Sequence, residues 1–557
     1  MLKKVTIIVA MCLGTFMCLL DETIMNIVLP EIQNSLHTNL AGMTWAINSY
    51  TILFAALTIP FGRLAERIGV HKTFIGGLLV FMIGSIVSAE AHTINILIVG
   101  RIVQAIGVSA VFPLSMVIGI STLSVARRMI VIAALGMTQG LAGALGPSIG
   151  GILSQYLSWR WVFLINIPMV ILAVILCLLS LNLKENVSVA RVDFVGSLLS
   201  IIVLFSLTLA LVQGNDWKWN SPLIIGLFVL SIVGLVIFIW YERRIEAPMI
   251  PMRLFSHRQY DGAALTILLS TIFFVGVLVV LPTYFVRIQN HTDLAAALLI
   301  TPASAMIFLF SPVAAVTVEK LGARLTVFIG ILSMGIAYIL FWNINMGSQW
   351  QVSVACAALG FGYGILVGSM QTLAAADFTG DLLAASQPVA LVMRLVGFAL
   401  AAAIFISALN TNASTAKNQS ITYAKSEIAA LNLSSSQTKT MENKVIDQIS
   451  QEKASTPEKY KTSTSEINAL IDENLKKLPV AIREQARGTV SQQVLTAVKN
   501  TDYKINTAIT RIGNHTKKNF SDAFIIIYKI ATPFIFALLL LVFVFYRKSK
   551  TLSDMKG

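Results

Sequence analysis

Charge and cysteine are what this 557-residue chain has least of: 12% of residues are charged and four are cysteine. A soluble domain carries about 25% charged residues to face water, so a surface this poor in charge faces something else. Cys12, Cys18, Cys177 and Cys356 all lie inside apolar runs, which excludes a disulfide framework and a cysteine metal cluster. No phosphate-binding glycine loop, nucleotide-binding domain or metal-ligand cluster is present in the sequence, so an enzyme of those classes is excluded and no cofactor is expected. What there is in abundance is apolar residue, 56% of the chain, with a mean hydropathy of +0.78.

The apolar residues fall in runs long enough to cross a bilayer. Six lie at about 5–29, 42–62, 73–91, 94–119, 130–155 and 160–183, and two at about 194–213 and 221–241. A second series follows at about 260–286, 294–318, 324–344, 351–376, 387–409 and 522–546, making fourteen candidate helices. The opening run resembles a signal peptide, but Asp21 and Glu22 stand where a cleavage site needs small residues. It reads as a retained first span. The net charge of +14 raises the question of nucleic acid, and the position of the charges answers it. The two ends and the even-to-odd loops hold 19 Lys and Arg, against three in the short loops opposite. By the positive-inside rule both termini are cytoplasmic, the bilayer is the partner and nucleic acid is not.

The two six-helix series repeat each other. Gly62-Arg-Leu-Ala-Glu-Arg-Ile-Gly69 follows the second helix, and Ala315-Val-Thr-Val-Glu-Lys-Leu-Gly322 follows the tenth, 253 residues later. Repeated halves commonly build a transporter whose site lies at their interface. The expected organisation is therefore residues 1–183 as a six-helix bundle, 184–258 as a two-helix linker, and 259–409 with 522–546 as a second bundle. Residues 547–557 form a cytoplasmic tail. The stretch 410–521 is polar, with 16 basic and 10 acidic residues, and is placed outside the cell. Within it Ile467, Leu470, Ile471, Leu475 and Leu478, then Val490, Val494, Leu495 and Val498, recur at helical spacing, so a helical hairpin or small bundle is expected. Thr456-Pro457-Glu458 reads as a helix start.

Three groups of residues carry chemistry. Asp21 and Glu22 place two carboxylates inside the first helix, where ionisable groups are costly and usually functional. Adjacent residues point about 100° apart, so one is expected to face a cavity and the other a neighbouring helix. Arg101, nine residues on from His92 where the fourth helix enters from outside, lies roughly 13 Å deep, near the depth of both acids, and is their expected partner. Gly146-Pro147-Ser148-Ile149-Gly150-Gly151 is expected to interrupt the fifth helix and let another helix approach, either as a sliding contact or as ordinary close packing.

Together these residues resemble the major facilitator superfamily, and within it the fourteen-helix drug:proton antiporter branch. The resemblance rests on Leu20 to Pro30, on Gly62 to Lys72, on Arg101-Ile-Val-Gln104-Ala-Ile-Gly107, on Gly146-Pro147 to Gly151, and on Trp159 to Pro168. It covers everything but the 410–521 insertion. It implies an all-α integral membrane fold of fourteen helices arranged 6+2+6. It further implies that Gly62, Glu66, Arg67 and Gly69 form a cytoplasmic gating loop, that Arg101 takes part in proton coupling with Asp21 and Glu22, and that Gly146, Pro147, Gly150 and Gly151 form the antiporter motif. Glu66 stands where the family usually has Asp, and Ala105 and Ala142 where it usually has Gly.

The implied function is export of amphiphilic small molecules by proton antiport at the plasma membrane, by a monomer driven by the proton gradient. Asn26, Asn48, Gln104, Gln139, Tyr284 and Gln371 are candidate polar lining, each equally able to be a helix–helix hydrogen bond. Arg394, roughly 10 Å into the thirteenth helix, either attracts an anionic headgroup or reaches for the interface. An exporter of an envelope lipid or anionic metabolite is the first alternative, and a membrane sensor or scaffold that transports nothing is the second.

Overall fold

In a bilayer no water satisfies backbone N–H and C=O groups, so apolar runs of this length close their hydrogen bonds within helices. The computed structural model describes residues 2–38, 40–124, 128–185, 193–246, 248–376, 378, 380–431, 433, 435–450 and 460–545. Among these, fourteen helices are long and apolar enough to cross a membrane. The first six spans are α1 (Leu2–Ser35), α2 (Leu40–Ile68), α3 (Val70–Ala89), α4 (Ile94–Thr122), α5 (Arg128–Tyr156) and α6 with α7 (Trp161–Leu164, Asn166–Ser180). Two more are α8 (Phe194–Gln213) and α9 (Pro222–Glu242). The second series is α10 (Arg258–Arg287), α11 (Asp293–Leu321), α12 (Ala323–Asn343), α13 (Gln349–Ala376), α14 (Gly380–Ala429) and α17 (Arg483–Ala537), with α15 (Ser435–Ser450) and α16 (Thr464–Lys476) between the last two.

Starts are set by caps where the chain enters a span. Thr93, Asp193 and Ser221 each accept a backbone N–H of the following turn, and Pro222 occupies the first turn of α9, where its missing N–H costs nothing. The spans bury one face and leave another apolar and open. On α9, Leu223, Val229, Ile232, Val236 and Trp240 are all exposed, a surface that suits lipid and would be a liability in water.

The internal repeat is written in the backbone. The two glycines with positive φ among the described residues are Gly69 (111°) and Gly322 (83°), 253 positions apart as their motifs are. Each precedes a helix, and each carbonyl accepts a hydroxyl at 2.9 Å, from Thr73 and Thr326 respectively. The sharp turn that the loop needs is one an L side chain rarely adopts, so glycine is required at both.

By contacts the chain divides into two units. The larger takes in residues 1–282, 293–407 and 528–557. Its main buried cluster runs through α1 to α7 and includes Leu391 and Leu395 of α14. The smaller takes in 283–292 and 408–527. There Ile471 and Leu475 of α16 meet Val494 of α17, flanked by Ile467, Leu478, Val490 and Val498, the residues whose spacing marked them as helical. Tyr423 stacks on His515 with ring centroids 3.9 Å apart, and Thr462 donates to Asp502 at 2.6 Å.

Two expectations change. The thirteenth and the last span do not end with their apolar runs: α14 runs 50 residues and α17 runs 55, each passing without a break through positions 409 and 522. The hydropathy drop marks where the helix leaves the apolar medium, and the backbone has no reason to stop there. Secondly, α5 is continuous from Arg128 to Tyr156, so Gly146-Pro147 does not interrupt it; neighbouring groups in a packed bundle can absorb the lost hydrogen bond. Within the polar stretch α15 begins at Ser435 and α16 at Thr464, where Ser463 and Glu466 form a reciprocal cap. Thr456-Pro457-Glu458 and the tail 547–557 lie outside the described residues.

Gly69→Ala and Gly322→Ala are expected to cost about 1–3 kcal/mol each through backbone strain. Gly69→Ala is the worse of the two, because its new Cβ would meet Glu185 Oε2 at 2.5 Å. Gly76, with open space around it, is the control. Thermal unfolding of the three detergent-solubilised variants ranks them.

Candidate functional site

Asp21 on α1 and Arg101 on α4 are each 1% exposed and form an ion pair between Arg101 Nη1 and Asp21 Oδ2. Two charges out of water stay stable only when their remaining hydrogen-bonding capacity is met. Here it is met on every side. Asp21 Oδ1 accepts Gln104 Nε2 at 3.1 Å and Asn166 Nδ2 at 3.0 Å. Ser85 Oγ accepts the same two amides at 2.8 and 3.4 Å. Arg101 donates to Gln104 Oε1 at 3.0 Å and to the Ala46 carbonyl at 3.3 Å, and its guanidinium lies 4.0 Å over the Tyr50 ring. One carboxylate therefore ties α1 to α4 and α7.

Glu22 points elsewhere. It is half-buried, and the charges acting on it are Arg394 of α14, Arg101 and Asp21. Arg394 donates to Gln139 Oε1 of α5 at 2.6 Å and lines a cavity with Gln371, Gln387, Phe112, Met116 and Leu391. That cavity has about 30 Å³ open to a water's centre, enough for a water or two. Gln139 Nε2 and Gln371 Oε1 are buried without a hydrogen-bond partner.

Of the expected lining residues, Gln371 and Arg394 line this cavity, and Gln139 is joined to it through its bond with Arg394. Gln104 belongs instead to the Asp21 cage. Asn48 is half-buried on α2, and the side chain of Asn26 lies outside the described residues. Tyr284 does not line the cavity: it falls in the smaller unit, its hydroxyl 3.1 Å from Ser521 Oγ. An aromatic at a span end looks the same in sequence as one facing a central pore.

The fifth-helix glycines sort onto two faces. A Cβ at Gly146 would strike Thr23 Oγ1, and one at Gly150 would meet Ile24 Cγ2 at 3.0 Å, so these two admit α1 beside its acids. Gly151 faces Leu294 of α11 at 3.1 Å. So do Gly136, Gly140 and Gly143, which face Ser311, Phe308 and Ser304 of α11; these three were not singled out in the sequence, though their spacing was visible. Pro147's side chain lies outside the described residues.

At the face carrying the N-terminus, a Cβ at Gly62 would meet Pro388 Cγ of α14 at 2.8 Å. Glu66 pairs with Arg63, which also donates to the carbonyls of Met249 and Pro248, both at 2.6 Å. Arg63, absent from the expected set, is thus the residue of this loop that reaches furthest. Arg67 is exposed, and Gly69 sits against Glu185, whose carboxylate accepts the His71 N–H at 2.9 Å.

Residues 11–408 match the model of the Major Facilitator Superfamily. The chain belongs to this family. Among characterised relatives, it is 28% identical over 367 residues to the multidrug transporter protein MdtP of Bacillus subtilis, covering 66% of this chain and 68% of that protein. It is 30% identical over 344 residues to the multidrug export protein EmrB of Escherichia coli, covering 61% and 67%. The methylenomycin A resistance protein of Bacillus subtilis is 29% identical over 372 residues, covering 66% and 80%. The structure of the human organic anion transporter MFSD10 superposes with a TM-score of 0.54 at 14% identity, covering 72% of this chain and 92% of that one, which speaks for the fold. This Major Facilitator protein is a transporter and not an enzyme.

The cage around Asp21 leads to a stability prediction. Asp21→Asn leaves Arg101 buried without its counter-charge, at a cost of about 3–5 kcal/mol. Combined with Arg101→Met, the loss is expected to fall short of the sum of the two singles by about 1 kcal/mol or more, which a double-mutant cycle on thermal unfolding measures.

Proposed function

We propose that this Major Facilitator protein exports amphiphilic small molecules by alternating access, in exchange for protons. The observation that carries the reading is the division of labour between adjacent acids: Asp21 is sealed against Arg101, while Glu22 is half-buried and in the field of Arg394 from the other half. A carboxylate enclosed by Arg101, Gln104 and Asn166 is closed off from water and is a poor proton carrier. Glu22 can exchange a proton when its side of the bundle is wet, and a cationic amphiphile that reaches it as the halves part competes for the same carboxylate. Proton and substrate then occupy the site in turn, as antiport requires.

The relatives named for multidrug export support a drug-like substrate, and the apolar cavity wall of Phe112, Met116, Ile267 and Val367 supports an amphiphilic one. The 19-to-3 distribution of Lys and Arg supports cytoplasmic termini, with residues 410–521 outside a plasma membrane. The protein acts as a monomer in this reading, with the proton gradient as its energy source and no cofactor. Arg394 and the unpartnered Gln139 Nε2 favour a second reading, an anionic amphiphile such as an envelope lipid or an anionic metabolite, held by donors at the cavity.

Proteoliposomes with an imposed pH gradient test both. A cationic dye and an anionic amphiphile are offered separately. Gradient-driven dye flux is expected in the wild type, reduced at least about ten-fold in Glu22→Gln, a loss of about 1.4 kcal/mol of coupling. Arg394→Gln should spare dye flux. Flux indifferent to the gradient overturns proton coupling, and anion flux that Arg394→Gln abolishes selects the second reading.

A further inference from the structure

A second pair of acids lies away from the central cavity, at the face that carries the N-terminus. Asp193, the cap of α8, is 6% exposed, and Glu242, the last residue of α9, is 2% exposed. Asp193 Oδ1 accepts the Gly196 N–H at 2.8 Å and the Tyr241 hydroxyl at 3.0 Å. Glu242 Oε2 accepts the Ile250 N–H at 3.0 Å. Each carboxyl has one further oxygen, Asp193 Oδ2 and Glu242 Oε1, that is buried and without a hydrogen-bond partner. Both converge on the same point: a Cβ at Gly196 would strike Asp193 Oδ2 and lie 2.6 Å from Glu242 Oε1. With no side chain at Gly196, the two oxygens border the same small space.

Two carboxylates this close and this dry cannot both keep a negative charge cheaply, and one proton shared between the facing oxygens satisfies both. Among the described residues, the charged and titratable groups acting on Glu242 are Asp193 and Arg63, and Tyr241 faces Asp193. Arg63 is already committed to Glu66 and to the carbonyls of Pro248 and Met249, so it does not neutralise the pair outright.

The position gives the pair a lever. Residues 248–250 form a short strap held from both sides: Glu242 takes the N–H of Ile250, while Arg63 of α2 takes the carbonyls of the two residues before it. The strap, Gly62, Arg63 and Glu66 line one small pocket together with Ala384, Ala385 and Pro388 of α14, where the two halves meet. We propose that Asp193 and Glu242 form a second proton-binding site, holding one proton between Asp193 Oδ2 and Glu242 Oε1, and that its occupancy clamps the strap and keeps the halves closed at this face. Loss of the proton to water leaves two buried negative charges. One carboxylate then swings toward solvent, the Ile250 N–H is released, and the seam at Gly62 and Pro388 loosens. Alkaline conditions at this face favour opening there.

The motion follows from alternating access, yet the test needs neither substrate nor gradient, so failure of drug/proton exchange leaves it standing. Spin labels go on Ile68→Cys at the end of α2 and Leu321→Cys at the end of α11, both exposed, with the four native cysteines replaced by alanine. Electron–electron distance measurements on the full-length protein in nanodiscs are made from about pH 5 to 9. The wild type is expected to move from a short to a long distance as pH rises. Glu242→Gln and Asp193→Asn, the latter keeping the helix cap, are expected to stay short throughout. A wild-type distance that ignores pH, or variants that titrate as the wild type does, overturns the proposal. Should either variant fail to fold, infrared spectra of the wild type decide alone: a protonated-carboxyl band that disappears over the pH range of the distance change supports the shared proton, and a spectrum with no such band rejects it.

Discussion

A carboxylate and a guanidinium with almost no exposure to solvent fix the first half of this bundle. Dehydrating both is expensive, and a bare pair would barely recover that cost. The cage makes the difference: two amides and a serine hydroxyl meet the remaining lone pair and donors, so Asp21 has one arrangement of neighbours and no reason to leave it. The rotation of α1 about its own axis follows. With Asp21 locked toward α4 and α7, the next residue along the helix points about 100° away, which brings Glu22 into the field of Arg394 from the other half.

That rotation also sets what α5 must be. Thr23 and Ile24, next along α1, meet α5 at Gly146 and Gly150, where any larger side chain would push the helices apart. The opposite face of α5 offers Gly136, Gly140, Gly143 and Gly151 to α11. Between two helices in a lipid-like medium, attraction comes from packing rather than from exclusion of water, so a face of glycines is worth most where contact is closest. The fifth-helix glycines and the acids thus belong to one assembly: α5 lies between α1, which carries the carboxylates, and α11.

Much of this was legible in the sequence, for identifiable reasons. Depth along a helix is simple counting, so the sequence alone pairs Asp21 with Arg101. The 253-residue offset appears because a sharp turn needs glycine twice, at Gly69 and Gly322. What stayed hidden is azimuth and long-range company. Ser85 and Asn166 carry no marker of their partnership with Asp21, and Tyr284 resembles a lining residue until its Ser521 contact is seen. Asp193 and Glu242 fall at span ends, where an acid is ordinarily solvated, and only their burial distinguishes them. The ends of α14 and α17 were missed because hydropathy reports the medium around a helix, whereas helix length is set by backbone hydrogen bonds that cross the boundary unchanged.

The size of the central cavity then constrains how the parts work together. A drug-sized ligand needs a pocket of about 300–1,000 Å³, far more than a space for a water or two. Room for a substrate has to come from separating α5 and α11 or from parting α2 and α14, since the Asp21 cage cannot loosen without stranding two charges. The first seam is held by close glycine packing, and its cost of opening is dispersion alone. Beside the second, Arg63 of α2 is tied to the 248–250 strap, and Arg128 of α5 donates to the Phe378 carbonyl ahead of α14 at 3.1 Å. Parting α5 from α11 costs least when the entering molecule replaces the lost contacts with its own apolar surface.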